Sequence, residues 1–320
     1  MTVLVVVEHD RGTLAPATLE AITAARTLGE PVHAITVGAA ADGLTDQLAA
    51  HGVSVVVQAH HDALGDYGPE AWGDTVAQVV QQFSPTAVLA TGTDRGNEVL
   101  AHVAAILDLP FVANITEVVS SDGAGWELVR VRWGGSLLER CRLDAPIKLL
   151  TVSHHSVEAT EAPTSITAEA FTPQLADTAT RTMVTDRVER AAGVTLATAP
   201  VVVGGGRGVG SPEGFGPLEE LAGLLGGVVG CSRAVTNNGW RNHTDQVGQT
   251  GTRIAPDLYF ACGISGAIQH WVGAMASKKI LAINTDAEAN MVTKADYAVI
   301  GDLHQVVPAI SAEIKRRRGA

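Results

Sequence analysis

Residues 246–270 read QVGQTGTRIAPDLYFACGISGAIQH: a glycine turn, QVGQTG (246–251), an apolar strand ending in YFACG (259–263), and a second glycine segment, GISGAIQH (263–270). A buried strand that empties into a glycine turn opening a helix is the repeating unit of a parallel α/β sheet. Gly248, Gly251, Gly263 and Gly266 carry no Cβ, so the backbone there can approach a ligand closely. Between them stand Gln246, Gln249, Thr250, Ser265, Gln269 and His270, all neutral or nearly neutral hydrogen-bonding side chains. A site for a charged substrate places Arg or carboxylate at its centre. This pattern suits the edge of a large, flat, polar ring and the phosphates attached to it.

Working outward, Pro200–Val203 runs into the glycine loop 204–210. No register of that loop gives GxGxxG, and Ser211 stands where a P-loop would need lysine. The loop therefore indicates a phosphate or a close backbone contact and nothing more specific. Downstream come a helix over Gly216–Leu225, the segment Val228–Ala234 containing Ser232-Arg233, and strands over Lys279–Asn284 and Asp296–Gly301. Asn284 and Asp302 fall at strand C-terminal ends, where doubly wound sheets place ligands.

The first half alternates in the same way. Strands are predicted at Val3–Val7, Val32–Val37, Val53–Val57 and Thr86–Thr91, with helices at Pro16–Leu28 and Asn97–Leu107. The segment Thr91–Gly96 between strand and helix reads as a helix cap by Thr93 or Asp94, with an anion-holding turn as the alternative. After Pro110 the pattern becomes β-rich: Ile115–Ser120, Glu127–Trp133 and Pro146–Val152, with turn residues Ser121, Asp122, Gly123, Gly134 and Gly135. Residues 156–175 lack periodicity and read as a linker, and Thr182–Arg187 as a further strand.

Length and composition agree with two α/β domains. The chain has 320 residues, 46% hydrophobic but only 4% aromatic, with mean hydropathy +0.18. Val, Ala, Leu and Ile must then fill the cores, as in parallel sheets buried on both faces. The net charge of −12 argues against a nucleic-acid partner, and no run approaches a membrane span. Cys141, Cys231 and Cys262 form neither a disulfide scaffold nor a CxxC pair, so Cys231 reads as a small buried residue. The opening VLVVVEH shows no secretory or transit pattern, which leads us to expect a bacterial cytoplasm. His60-His61 and His154-His155 have no metal-ligand spacing with the carboxylates, so no metal is expected. Nor does a nucleophile elbow occur.

The pair QVGQTG…GISGAIQH closely resembles the flavin-binding signature of the electron transfer flavoprotein α subunit. Residues 3–29, VLVVVEHDRGTLAPATLEAITAARTLG, resemble the start of the same subunits. The resemblance is strong over 200–310, fair over the first 40 residues and weak over 115–195. It implies two doubly wound parallel-sheet domains: residues 1–190, nucleotide-binding-like with a β-rich extension and linker, and residues 198–320, a Rossmann-like FAD-binding domain. It further implies FAD contacts at Arg207, Ser232, Arg233, Gln246, Val247, Gly248, Gln249, Thr250, Gly251, Ser265, Gly266, Ala267, Ile268, Gln269, His270, Asn284, Asp302 and Leu303. Within that set, Thr250 would face flavin N5, His270 the O2 region, and Ser265 with the following helix start the pyrophosphate. Arg233 would favour the reduced, anionic ring, its plain alternative being a surface arginine. For His270 the alternative is a structural histidine.

Function follows as expectation. The resemblance implies an electron carrier rather than an enzyme, paired with a β subunit that holds AMP or a second FAD. It would take electrons from acyl-CoA or other dehydrogenases and give them to a quinone oxidoreductase. The other readings are a flavin or NAD enzyme acting alone and a nucleotide-binding regulatory module. Against the first of these, no general base or substrate-binding Arg cluster accompanies the flavin motifs. The segments Trp240–Asp245 and Glu288–Thr293 depart from the family pattern beside the site.

Overall fold

Valine-rich runs dominate the strands because β-branched side chains pack well on a pleated surface covered on both sides. The structure, a computed structural model, describes residues 2–121, 125–135, 137–186 and 194–319. The Asp122-Gly123 turn, Arg187 and the boundary at residue 190 lie outside them. The described chain divides into two units, Met1–Trp133 with Leu137–Glu189, and Gly134–Ser136 with Arg190–Ala320.

In the first unit the strands are β1 (Val3–Val6), the short pair β2 (His9–Asp10) and β3 (Thr13–Leu14), β4 (Val32–Val37), β5 (Val53–Ala59), β6 (Ala87–Thr91), β7 (Phe111–Ser120), β8 (Gly125–Arg132), β9 (Leu137–Asp144), β10 (Lys148–Val152) and β11 (Thr167–Phe171). Helices α1 (Pro16–Arg26), α2 (Thr45–Ala50), α3 (Pro69–Phe83) and α4 (Asp94–Leu107) connect them. The large sheet has the order β11-β5-β4-β1-β6-β10-β7-β8-β9. It is parallel from β11 to β7 and then antiparallel through β8 and β9, which is the β-rich extension. Successive residues face opposite sides. Val3 and Val5 therefore pack with Ala21, Ile22 and Ala25 of α1, while Leu4 and Val6 pack with Val76 and Val80 of α3 and Val99 and Val103 of α4. Each such fully buried Val or Leu contributes about 1.5–3 kcal/mol relative to exposure.

Several features of this unit differ from the sequence reading, among them the unassigned β9, α2 and the β2/β3 pair. Thr167–Phe171, inside the predicted linker, pairs with β5 in parallel register; its residues are almost all exposed, so no hydrophobic alternation announces it. Helix α3 forms over a segment left without an assignment, with Pro69 in its first turn and Ser84 in the left-handed region before Pro85. Residues 182–186 form no strand, having no sheet neighbour. The Thr91–Gly96 turn is a cap: Thr93 accepts the Gly96 N–H at 3.0 Å.

The second unit carries β12 (Val201–Gly205), β13 (Val228–Cys231), β14 (Leu258–Cys262), β15 (Ile280–Asn284) and β16 (Tyr297–Ile300), with α5 (Gly216–Leu225), α6 (Arg233–Asn237), α7 (Ile268–Ala274), α8 (Asn290–Lys294) and α9 (Leu303–Arg318). All neighbours in its sheet, β13-β12-β14-β15-β16, are parallel. Counted within the unit, this is the 2-1-3-4-5 variant of the doubly wound scheme. Val203, Phe260 and Cys262 pack on one face with α5 and α9; Val202, Tyr259 and Ala261 pack on the other with Ala274 of α7 and Met291 of α8.

Candidate functional site

In the second unit the strand order reverses at β12. The chain leaves β12 for β13 on one side and later enters β14 on the other. Loops after the two strands then diverge and leave a crevice at their C-terminal ends. Here they are also drawn close at their base: Gly206 and Gly208 donate their N–H groups to the Cys262 and Gly263 carbonyls at 2.8 and 3.1 Å. A Cβ on Gly263, whose φ is +62°, would stand 2.9 Å from Gly208 Cα and 2.7 Å from Leu303 Cδ2. A Cβ on Gly266, with φ +79°, would lie 2.4 Å from the Met291 nitrogen. Only glycine fits either position.

The crevice opens into a cavity of about 620 Å³, a size that takes cofactors. The glycine loop contributes Arg207; the start of α6 contributes Ser232 and Arg233; the QVGQTG turn contributes Gln246, Val247, Gly248, Gln249 and Thr250. The GISGAIQH segment adds Ser265, Gly266, Ala267, Gln269 and His270, and β15 adds Asn284. Residues from four strand ends thus meet in one place.

Four of the sequence-derived positions do not line this cavity. Gly251 closes the turn beside it, where an added Cβ would stand 2.2 Å from the Gln246 carbonyl oxygen. Ile268 is 52% exposed. Asp302 caps α9, its carboxylate accepting the His304 N–H at 2.9 Å, and Leu303 is buried against Gly263 as part of the floor. Conversely, Gly208, Ala234, Asn237, Ile264, Asp286 and Ala289 line the cavity without having been singled out, and Gly263, marked as a close-approach glycine, lines it too. Asn237 follows Arg233 by four residues on α6, a spacing that could have pointed to it. Asp286 and Ala289 sit in the loop after β15, and the sequence carries no comparable signal for them.

The side chains fall into three groups. Arg207 and Arg233 are exposed cations without a carboxylate partner among the described residues. The N–H groups of Ser265 through Gln269 find no acceptor within the described chain, because α7 begins there. Gln246 is buried, and its amide spans two hydroxyls: Nε2 donates to Thr250 Oγ1 at 3.0 Å and Oε1 accepts from Thr236 at 2.9 Å. This bridging fixes the rotamer of Thr250.

His270 is almost wholly buried. Burial pushes its pKa down to about 4, overriding the opposing effect of the Val247 carbonyl, so the ring is neutral near pH 7. Its Nε2 lies 2.8 Å from the Tyr259 hydroxyl. Burial raises Tyr259 well above its ordinary value, so that hydroxyl keeps its proton. The direction of the Tyr259–Nε2 bond follows the tautomer: where Tyr259 donates, the one proton of the neutral imidazole stands on Nδ1, which is sealed from solvent. Burial also pushes Cys231 and Cys262 up to about 12, which makes both inert small hydrophobes at neutral pH.

Comparison with known proteins matches this geometry to a family. Residues 3–178 match the electron transfer flavoprotein domain, and residues 195–275 match the electron transfer flavoprotein FAD-binding domain. The chain is similar to the electron transfer flavoprotein subunit alpha of Bacillus subtilis (strain 168), 36% identical over 98% of this chain and 97% of the relative. It is 39% identical to the subunit of the same name from Mycobacterium tuberculosis, covering 99% of both chains. The probable mitochondrial subunit alpha of Caenorhabditis elegans is 38% identical over 97% of this chain and 93% of its own length. With two domain matches in order and similarity along the whole length, the chain belongs to the electron transfer flavoprotein α-subunit family.

Proposed function

We propose that residues 198–320 hold one FAD in the strand-end cleft and that residues 1–190 form a separate nucleotide-binding-like domain. A β subunit carrying AMP or a second FAD completes the heterodimer. In a bacterial cytoplasm, the complex passes single electrons from dehydrogenases, such as those acting on acyl-CoA, to an acceptor such as a quinone oxidoreductase. The observation that carries this reading is the lining of the cleft: glycines, neutral hydrogen-bonding groups and, at a doubly wound switch point, two arginines without a carboxylate partner among the described residues. The cofactor supplies the electron chemistry.

The residues of this chain bind and orient. The N–H groups of Ser265 to Gln269 suit a pyrophosphate, because they combine unpaired donors with the positive end of α7. Arg207 and Arg233 add fixed positive charge that does not vary with pH. Gln246 holds the Thr250 hydroxyl in place. His270, neutral and in the tautomer that takes the Tyr259 proton at Nε2, donates a hydrogen bond from Nδ1 without adding charge. Asn284, bonded through Nδ2 to the Ile264 carbonyl and through Oδ1 to the Asp286 N–H, holds the adenosine-side wall, with Asp302 and Leu303 behind it.

Coexpression with the β subunit tests the proposal. The purified heterodimer should show flavin absorbance at about one FAD per α chain. That absorbance should bleach on adding an acyl-CoA dehydrogenase with its substrate and return on adding a quinone oxidoreductase. A colourless heterodimer, or a yellow one that exchanges electrons with neither protein, overturns it.

A further inference from the structure

In the first unit, α1 and the turn after β10 bring together three side chains that lie far apart in sequence. Glu20 stands on α1, and His154 and His155 follow β10. Glu20 Oε2 accepts the backbone N–H of His155 at 2.7 Å. Its other oxygen, Oε1, lies 3.5 Å from Nδ1 of His154 and 3.5 Å from Nδ1 of His155. The two imidazole rings overlap with centroids 3.5 Å apart. His154 Nδ1 and His155 Nε2 are both shut off from water without a hydrogen-bond partner.

A hydrogen-bonding account leaves this arrangement unexplained. One carboxylate faces two rings, and each ring keeps a buried nitrogen unsatisfied. His155 adopts a φ of +61°, a conformation that a non-glycine residue keeps only where its surroundings enforce it. A cation shared by Glu20 Oε1 and the two Nδ1 atoms satisfies the buried His154 Nδ1 and explains why one carboxylate oxygen faces both rings.

We propose that Glu20, His154 and His155 form a binding site for a divalent transition-metal ion, of which Zn²⁺ is the best match. Two imidazoles and one carboxylate are the donor set of borderline metals, not of Ca²⁺ or Mg²⁺, which take oxygen. Tetrahedral Zn²⁺ with bonds of about 2.1 Å separates its ligand atoms by about 3.4 Å. The carboxylate-to-ring distances already meet that value. One ligand atom from each of the three residues lies within 4.8 Å of the others, so a modest ring rotation closes the set. The fourth position remains for water. The ion would also fasten the segment beyond β10 to α1, where Thr23 already accepts the Thr160 N–H at 3.2 Å and Arg26 donates to the Thr160 carbonyl at 2.8 Å. The site is independent of the electron-transfer reading.

Zn²⁺ titration of the EDTA-stripped, full-length chain by calorimetry tests this, with Co²⁺ titration followed by visible absorption as an optical probe. Wild type should bind one ion per chain in the micromolar range or tighter. His154→Asn should weaken binding at least about 10-fold, and His154→Ala with His155→Ala should abolish it. Flavin content should not change in any of these variants, so loss of the metal is distinguishable from loss of FAD. Glu20→Gln is the companion variant, checked by circular dichroism because it also alters a contact to the turn. Failure of wild type to take up either ion, or equal binding by the double histidine variant, overturns the proposal.

Discussion

At the end of β1 the carboxylate of Glu8 accepts hydrogen bonds from Thr91 and Thr93, the residues that close β6 and cap α4. At the end of β12, the equivalent place in the second unit, no acidic side chain bridges the two strand ends: Asp286 lines the crevice from the loop after β15, and Arg207 and Arg233 line it as cations without a carboxylate partner among the described residues. Each place is the switch point of its own doubly wound sheet. In the first unit the cavity lined by Glu8 amounts to about 10 Å³, against about 620 Å³ in the second. Arg95, the nearest cation to the first crevice, is taken up internally: it lies 3.8 Å from Asp10 and over the Tyr67 ring. One architecture thus gives an occupied and an open crevice. The difference lies in a few side chains at strand ends, not in the topology.

The largest test of this contrast closes the second crevice. Gly263→Val introduces a branched side chain where φ is +62° and Gly208 already abuts. Backbone strain of about 1–3 kcal/mol and overpacking of about 1–3 kcal/mol should cut the flavin-to-protein ratio by more than about 10-fold. Absorbance of the purified heterodimer reads it. Full flavin loading would mean that the loops can part, and that tight packing there does not shape the cleft.

The next concerns pH. The folded pKa of His270 is depressed to about 4 from 6.5, so the folded state binds fewer protons than the unfolded state between those values. Its contribution is complete above pH 6.5 and is lost as pH falls towards 4, amounting to about 3 kcal/mol in all. The drop in Tm between pH 6.5 and 4 should be shallower in His270→Gln than in wild type. Parallel curves would show that this histidine is not buried in solution.

A smaller effect probes the occupied crevice. Glu8→Ala removes the acceptor shared by Thr91 and Thr93 and should cost about 1–2 kcal/mol, read as a lower midpoint in urea. Added inorganic phosphate should stabilise this variant and leave wild type unchanged, since the α4 N-terminus then lacks its internal anion. Phosphate-independent stability in both would mean that more than Glu8 closes the crevice.

The smallest expected effect is electrostatic. Arg233 is exposed, so solvent screens it, and Arg233→Ala should be worth about 0.5–1 kcal/mol. That lowers a one-electron potential of bound FAD by roughly 20–40 mV, measured by reductive titration. Unchanged potentials would return Arg233 to the status of an ordinary surface arginine.

Much of this molecule was legible before its structure. The Val-rich strands β1, β4, β6 and β12 announced themselves because both of their faces are buried and their runs are unbroken. β11 did not, since Thr167–Phe171 is an exposed edge strand of which only Phe171 packs against the core. At the site, glycine spacing marked Gly248 and Gly266 as cleft residues. It could not distinguish Asp302, which caps a helix, from a residue that faces the cleft, because both roles use a carboxylate at a strand end.

The sequence by itself determined the periodicity of the strands and helices, the glycines that only tight turns require, and the family. The tertiary structure alone decided which polar groups meet. Tyr259 meets His270 from 11 residues away, Glu8 reaches Thr91 across 83, and Glu20 stands beside His155 across 135. Local pattern reports local propensity and burial. Chemistry between distant side chains depends on strand order and helix docking, which bring them within a few ångströms.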